Sequence, residues 1–241
     1  MYAVLSDIHG NMYAFREILK DMENFEIESV ILLGDLIDYG MQSNEVISYI
    51  RDSFKYKLVC NIWGNHEKAV AERDFTRFSS RRGAECARHT AKLLTDDSLR
   101  YITECMNKTG IQEFNIAGKR CLAVHGSLED RFWKSVSPGN VRGDYSRYDI
   151  VFSGHSHCRH MFTEFCEVDD PERRNKHAVM FINPGSAGQP RDHVPYVQYA
   201  LLDTDTMSVN MRAVKYDIEA AMSLYDGSVD LFYRDRLKRG V

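Results

Sequence analysis

Five short blocks, each an apolar run that breaks at a glycine, restrict most how this chain can fold. They read Ser6-Asp7-Ile8-His9-Gly10-Asn11, Gly34-Asp35-Leu36-Ile37-Asp38, Gly64-Asn65-His66-Glu67, Val124-His125-Gly126 and Gly154-His155-Ser156-His157. Nearly all follow a β-rich run such as Val30 to Leu33. Each block therefore sits where a buried strand opens into a loop, and several strand ends can bring distant residues to one sheet edge. Seven of the side chains, Asp7, His9, Asp35, Asn65, His125, His155 and His157, are of the metal-binding kind. The blocks read as a dinuclear metal site in pieces.

Spacing supports that reading. Asp7 and His9 lie two apart, which in extended backbone puts both side chains on one face, able to grip one cation, and His155 and His157 repeat the pattern. Carboxylate, imidazole and carboxamide oxygen without thiolate suit two divalent ions drawn from Mn, Fe, Zn, Co or Ni, with Mn favoured. An isolated Asp-x-His is weak, since a loop carboxylate beside a histidine needs no metal; five Gly-flanked blocks in order are strong. His89, His160, His177 and His193 lie outside the blocks and are read as surface or core residues.

The chain has 241 residues, 44% of them hydrophobic, and no repeat, low-complexity tract or Pro/Gly/Ser linker. Any cut would divide the blocks, so the expectation is one domain over 1–241. No apolar run approaches the roughly 18 residues of a membrane span, and the first strand pattern, Tyr2 to Leu5, leaves no room for a targeting segment. Six cysteines without a C-x-x-C pair fit a reducing compartment, so a cytoplasmic protein is expected. A net charge of −4 argues against a general nucleic-acid surface. Two dications against Asp7 and Asp35 would still leave a positive hole for phosphate.

Along the chain, Met12, Phe15, Ile18, Leu19 and Met22 recur at helical spacing behind Asn11 as N-cap, Val30 to Leu33 is a buried strand, and Ser43, Val46, Ile47 and Ile50 belong to a capped helix. With a strand over Lys57 to Ile62, the first half is βαβαβ and its strands are parallel. Residues 68–108 carry two helical patterns, Gly83 to Leu94 and one from Asp96 or Asp97, and are expected to form a helical cap beside the site. Strands follow over 111–116, 120–124, 150–153, 160–168, 178–183, 196–202 and 208–214, then helical segments at 218–224 and 229–237.

The block order D-x-H, GD-x-x-D, GNH-E, H-G and GH-x-H resembles the calcineurin-like metallophosphoesterases. Together with Asn183-Pro184-Gly185-Ser186-Ala187-Gly188-Gln189-Pro190-Arg191-Asp192 and the Gly83 to Leu94 helix, it is similar to the small bacterial and archaeal phosphodiesterase branch. The resemblance implies a four-layer αββα sandwich of two mixed sheets flanked by helices. It implies that Asp35 bridges two ions, with Asp7, His9 and His157 on one and Asn65, His125 and His155 on the other. A bridging hydroxide would then attack phosphorus in line, between ions roughly 3.5–4 Å apart, without a covalent phosphoenzyme. His66, next to Asn65 but free of metal, is placed to protonate the leaving alkoxide, with Asp38 as its partner.

Outside the blocks, Arg191 is a candidate substrate contact. Lys68, Arg73, Arg77, Arg81 and Arg82 read first as a solvated helix face. Phe132, Trp133 and Tyr145 are candidates for an aryl-binding wall, with core packing the commoner fate. Protein serine/threonine phosphatases share GD-x-x-D and GNHE but place Arg after the second Asp and Gly-Gly after the later His; here Tyr39 and Gly126-Ser127 stand instead. Without that Arg to clamp a dianion, the expected substrate is a small phosphodiester, a nucleotide among the candidates. A dinucleoside polyphosphate hydrolase of the diadenosine tetraphosphate type is the alternative, and it should need Arg81 and Arg82. A non-catalytic metal-binding scaffold is the third reading, opposed by the retention of His66 and all seven ligand positions.

Overall fold

The computed structural model describes residues 1–241. Its strands are β1 (Tyr2–Leu5), β2 (Ser29–Leu32), β3 (Lys57–Asn61), β4 (Ile111–Ile116), β5 (Lys119–Val124), β6 (Ile150–Ser153), β7 (His160–Glu167), β8 (Lys176–Asn183), β9 (Val197–Leu202) and β10 (Val209–Val214). Its helices are α1 (Met12–Met22), α2 (Ser43–Asp52), α3 (Asn65–Glu72), α4 (Arg81–Leu93), α5 (Asp96–Glu104), α6 (Ile218–Ser223) and α7 (Phe232–Asp235). No helix is long and apolar enough to cross a membrane.

The strands form two five-stranded sheets, ordered β10-β9-β1-β2-β3 and β4-β5-β6-β8-β7. In the first, β1, β2 and β3 run parallel, β9 is antiparallel to β1, and β10 is antiparallel to β9. In the second, β5, β6 and β8 run parallel, with β4 and β7 antiparallel at the edges. Both sheets are mixed, and helices flank the sandwich, as the resemblance implied.

Side-chain alternation holds the layers together. Tyr2 and Val4 of β1 join Cys121 and Ala123 of β5 between the sheets, while Ala3 and Leu5 face α1 and α2. Along the outer face of the second sheet, Leu122 and Val124 meet Val136, Tyr145 and Tyr148 from the segment between β5 and β6. Tyr145 is therefore core, stacked edge-on against Phe181 at 5.1 Å, and does not line an aryl-binding wall.

Most predicted elements fall within two residues of the observed ones, and Asn11 caps α1 by accepting from the Ala14 N–H at 3.1 Å. Three differ. The helix α3 begins at Asn65, where the sequence shows too few apolar repeats to announce it. Ser43 does not cap α2; its hydroxyl accepts the Asp38 N–H at 3.0 Å. The last helical segment starts at Phe232 instead of Val229, because Asp230 turns the chain by accepting the Phe232 N–H at 2.9 Å.

Candidate metal centre

The C-terminal ends of β1, β2, β3, β5 and β6 meet at one edge of the sandwich. Beyond the strands the loops stay zipped: the N–H groups of Asp7, His9 and Gly10 donate to the carbonyls of Gly34, Asp35 and Leu36 at 3.0, 2.9 and 2.9 Å. The backbone there is not extended. Asp7, His9, Asp35, Asp38, Tyr39, His155 and His157 all have left-handed φ, between 49° and 72°. Such conformations cost on the order of 1–3 kcal/mol each and persist where the surroundings fix them. Side chains two apart still converge, through loop curvature in place of strand alternation.

All seven predicted positions are brought together. Asp7, His9, Asp35 and His157 form one buried group, and Asp35, His125 and His155 a second, with the donor atoms of each group within 4.8 Å of one another. His157 Nε2 is 3.1 Å from Asp7 Oδ1, and His125 Nε2 is 3.3 Å from Asp35 Oδ2. The Asn65 Oδ1 lies 3.1 Å from His125 Nε2 and 2.9 Å from His155 Nδ1. Asp35 is common to both groups.

The tautomers show what this donor set fits. Nδ1 of His9, His125 and His157 faces the carbonyl oxygens of Ile37, Leu33 and Gln189 at 3.0, 2.7 and 2.6 Å, so each Nδ1 carries a proton and donates. Their Nε2 atoms then point into the cluster, and the Nε2 lone pairs of His9 and His157 face one another at 3.1 Å. Asp7 Oδ2 and Asp35 Oδ1 accept the backbone N–H groups of His155 and His66, while Asp7 Oδ1 and Asp35 Oδ2 are buried without a hydrogen-bond donor. Bare carboxylate oxygens and opposed imidazole lone pairs repel unless a cation lies among them, so these residues fit divalent metal ions.

The electrostatics agree. Burial pushes His155 down to about 3 and His157 to about 4, and holds His9 well below its usual value, leaving neutral imidazoles ready to ligate. Asp7 is held low by His157, and Asp35 by His125 and His66, against the opposing effect of burial. His125 behaves differently: burial opposes its charge, but Asp35 draws it up to about 9. A cation entering its group must displace that proton.

Glu67 locks the Asp35 turn. Fully buried, it accepts N–H groups from Gly64 (2.8 Å), Asp35 (2.8 Å), Leu36 (2.7 Å) and Ile37 (3.3 Å). Gly64 is required for the close approach, because a Cβ there would lie 2.0 Å from Asp35 Oδ1. The Asn183 to Asp192 segment braces the other loops: Ser186 Oγ donates to the Asp7 carbonyl at 2.7 Å, Asn183 Nδ2 to that of Gly154 at 2.9 Å, and the Arg191 N–H to that of His157 at 3.1 Å.

Beside the clusters, His66 Nδ1 lies 2.6 Å from Asp38 Oδ2. Thr90 Oγ1 donates to Asp38 Oδ1 at 2.7 Å, so both carboxylate oxygens are held. Burial works against a charged His66, but Asp35 and Asp38 outweigh it and raise its pKa. Tyr39 packs on His66 and His9, each at 4.5 Å between ring centroids, and Phe78 packs on His66 at 5.1 Å.

A cavity of about 220 Å³ opens at the clusters, lined by Asp35, Asn65, His66, His155 and His157, by Tyr39 with Arg191, and by Arg77, Phe78 and Trp133. Arg191 thus reaches the site, its buried Nε without a partner. Arg81 pairs with Glu85 on its own helix and is 90% exposed, and Arg82 lies over the Phe232 ring at 4.3 Å, so both stand apart from the cavity. Phe132 packs into the core and is not among the lining residues, unlike Trp133. The sequence places Glu67 in a block without showing its role, and gives no sign of Thr90 or Phe78 as parts of the site; Tyr39 was legible only as a departure from a related pattern.

The profile of the calcineurin-like phosphoesterase superfamily domain matches residues 1–207. The chain is 30% identical over 226 residues to an uncharacterized protein of Methanocaldococcus jannaschii, covering 92% of this chain and 90% of that one. Among solved structures, a metallophosphoesterase from Sphaerobacter thermophilus superposes with a TM-score of 0.74 at 22% identity, covering 100% of this chain and 98% of that one. A hypothetical protein from Pyrococcus horikoshii gives 0.76 at 18% identity, covering 100% and 99%. Both structures share the fold described above.

Proposed function

This chain belongs to the calcineurin-like phosphoesterase superfamily, and from that premise we propose that it is a dinuclear metal-dependent phosphodiesterase acting on a small-molecule or nucleotide phosphodiester. The observation that carries the reading is the pair of donor groups sharing Asp35 beneath one cavity, with the His66–Asp38 pair beside them. In it, Asp7, His9 and His157 would hold one ion, Asn65, His125 and His155 the other, and Asp35 would serve both. Divalent ions bound there, with Mn favoured, supply Lewis acidity for a phosphoryl oxygen and for water.

The chain's own residues do the rest. Asp38 fixes the His66 ring through Nδ1, and His66 Nε2 delivers a proton to the leaving oxygen. Thr90 and Ser43 hold Asp38 in place. Arg191 contacts a non-bridging phosphoryl oxygen from the Tyr39 side. Tyr39, a neutral phenol where an arginine would suit a dianion, favours the singly charged diester. In this reading 1–241 is one domain, and residues 68–108 form a helical cap whose Arg77, Phe78 and Ser79 reach the cavity. Its six free cysteines suit the cytoplasm.

A volume of 220 Å³ is below the roughly 300–1,000 Å³ of sites that enclose drug-sized ligands. It suits a phosphoryl group and its immediate substituents better than a whole dinucleoside polyphosphate, for which Arg81 and Arg82 are also badly placed. The test is hydrolysis of bis-p-nitrophenyl phosphate against p-nitrophenyl phosphate after chelation and Mn²⁺ restoration, with Asp35→Asn as control. A Mn²⁺-dependent preference for the diester, lost in the control, is expected. Preference for the monoester refutes the diesterase assignment. Silence on both, with turnover of diadenosine tetraphosphate, replaces it with the anhydride reading, and tight metal binding without any turnover replaces it with the scaffold.

A further inference from the structure

Two guanidinium groups line the cavity, and only one is accounted for by a reacting phosphoryl group. Arg191 lies near the Asp7, His9 and His157 group, its guanidinium carbon 5.9 Å from the Tyr39 ring centroid. Arg77 lies toward the other group: its guanidinium carbon is 5.3 Å from the Trp133 ring centroid, and that ring is 6.5 Å from His155.

Arg77 is held from outside its own segment. One terminal nitrogen donates to Asp130 Oδ2 at 2.6 Å, across 53 residues of sequence, where Lys68 and Arg81 pair with glutamates four residues along their own helices. Asp130 is itself fixed, because its Oδ1 accepts the N–H groups of Phe132 and Trp133 at 3.1 and 3.2 Å. Trp133 is wedged against Phe78 at 5.2 Å, edge to face, and Phe78 against His66. The result is a guanidinium propped on an indole at the cavity wall, half-exposed, with one of its five N–H donors committed to Asp130.

We propose that Arg77 is a specificity-determining residue that binds a second anionic group of the substrate, a carboxylate or a further phosphate, carried on an alcohol of the reacting diester. The inference rests on the phosphodiesterase reading and narrows its substrate class from diesters in general to those with a distal negative charge. Asp130 takes up part of the Arg77 charge, so the contribution to affinity is modest, about tenfold.

Calorimetric titration of the Mn²⁺-loaded protein with ethyl phosphate, 2-phosphoglycolate and ethylene glycol bisphosphate tests this without requiring turnover. One or both of the doubly anionic ligands should bind about tenfold more tightly than ethyl phosphate, and which one does identifies the second anion. Arg77→Gln should bring the ratio close to one, Arg77→Lys should keep part of it, and Arg191→Gln should weaken all three ligands together. A ratio near one in the unaltered protein, or a ratio that survives Arg77→Gln, overturns the assignment and leaves the phosphodiesterase reading intact. Failure of all three ligands to bind while bis-p-nitrophenyl phosphate is still turned over overturns the assignment alone; failure of binding and of turnover together overturns both.

Discussion

Replacing Glu67 by Gln changes no volume and removes one formal charge, yet it should rank among the most destabilising single substitutions in the chain. Oε2 receives the N–H groups of Gly64 and Asp35, and Oε1 those of Leu36 and Ile37. A glutamine keeps one oxygen and must turn an NH₂ toward the other pair, leaving two buried donors facing donors. At roughly 1–3 kcal/mol for each unsatisfied group, the loss is about 2–6 kcal/mol. For a chain of this size, each kcal/mol lowers Tm by roughly 2–4 °C, so a loss of about 4 kcal/mol is a fall of about 8–16 °C. Burial and the nearby Asp35 raise Glu67 to about 7, against the pull of the Gly64 and Asp35 N–H groups. Calorimetric melting should therefore be run near pH 8, where the carboxylate is ionised. Because the substitution also loosens the Asp35 turn, Mn²⁺ affinity should fall with Tm. A variant melting within about 2 °C of the parent would show that Glu67 is a neutral acid in the fold, which glutamine mimics, and the carboxylate-clamp argument would be wrong.

His66→Asn should lower kcat at least about a hundredfold on a diester with an alkyl leaving group, while a p-nitrophenolate leaving group, which needs no proton, should be turned over at near the parental rate; equal losses on both would remove His66 as the acid. Thr90→Val deprives the buried Asp38 Oδ1 of its donor, and steady-state kinetics should show kcat for the alkyl diester down by about tenfold with KM little changed; a rise confined to KM would contradict this positioning role. Far from the site, Asp21 accepts from Arg212 through both oxygens and from the Tyr199 hydroxyl, so Asp21→Asn should cost about 2 kcal/mol at pH 7 in urea unfolding. Burial opposes ionisation of Asp21, but Arg212 and Tyr199 hold its pKa below the usual value. That stabilisation is present above the unfolded value of about 4 and fades as pH falls through the lower folded one, so the gap between parent and variant should narrow in acid; a constant gap would refute the linkage.

The convergence of the blocks was legible because strand, glycine and candidate side chain are contiguous in sequence. Asp7, His9, His155 and His157 each announce themselves within three residues, and the βαβαβ order tells which strand ends share an edge. What was hidden depends on long-range contacts or on backbone conformation. Thr90 reaches Asp38 across 52 residues, and nothing in Arg88-His89-Thr90 marks it. Glu67 was visible as part of a block, but its four amide partners arise only once the Asp35 turn folds onto α3. The left-handed backbone at seven site residues was missed because extended spacing gives the same prediction of convergence. Arg77 and Arg81 look alike in sequence; one finds Asp130 on another loop and the other a glutamate on its own helix.

The two donor groups draw on both sheets, and this orders events in time. Asp7, His9, Asp35 and Asn65 follow strands of the first sheet, whereas His125, His155 and His157 follow strands of the second. A ribosome adding roughly 5–20 residues each second needs about 8–30 s to travel from Asp7 to His157. For that interval the nascent chain carries only part of either donor group, so any ion these residues take would load late. A chain stalled before β6 lacks His155 and His157, and so holds neither donor group whole.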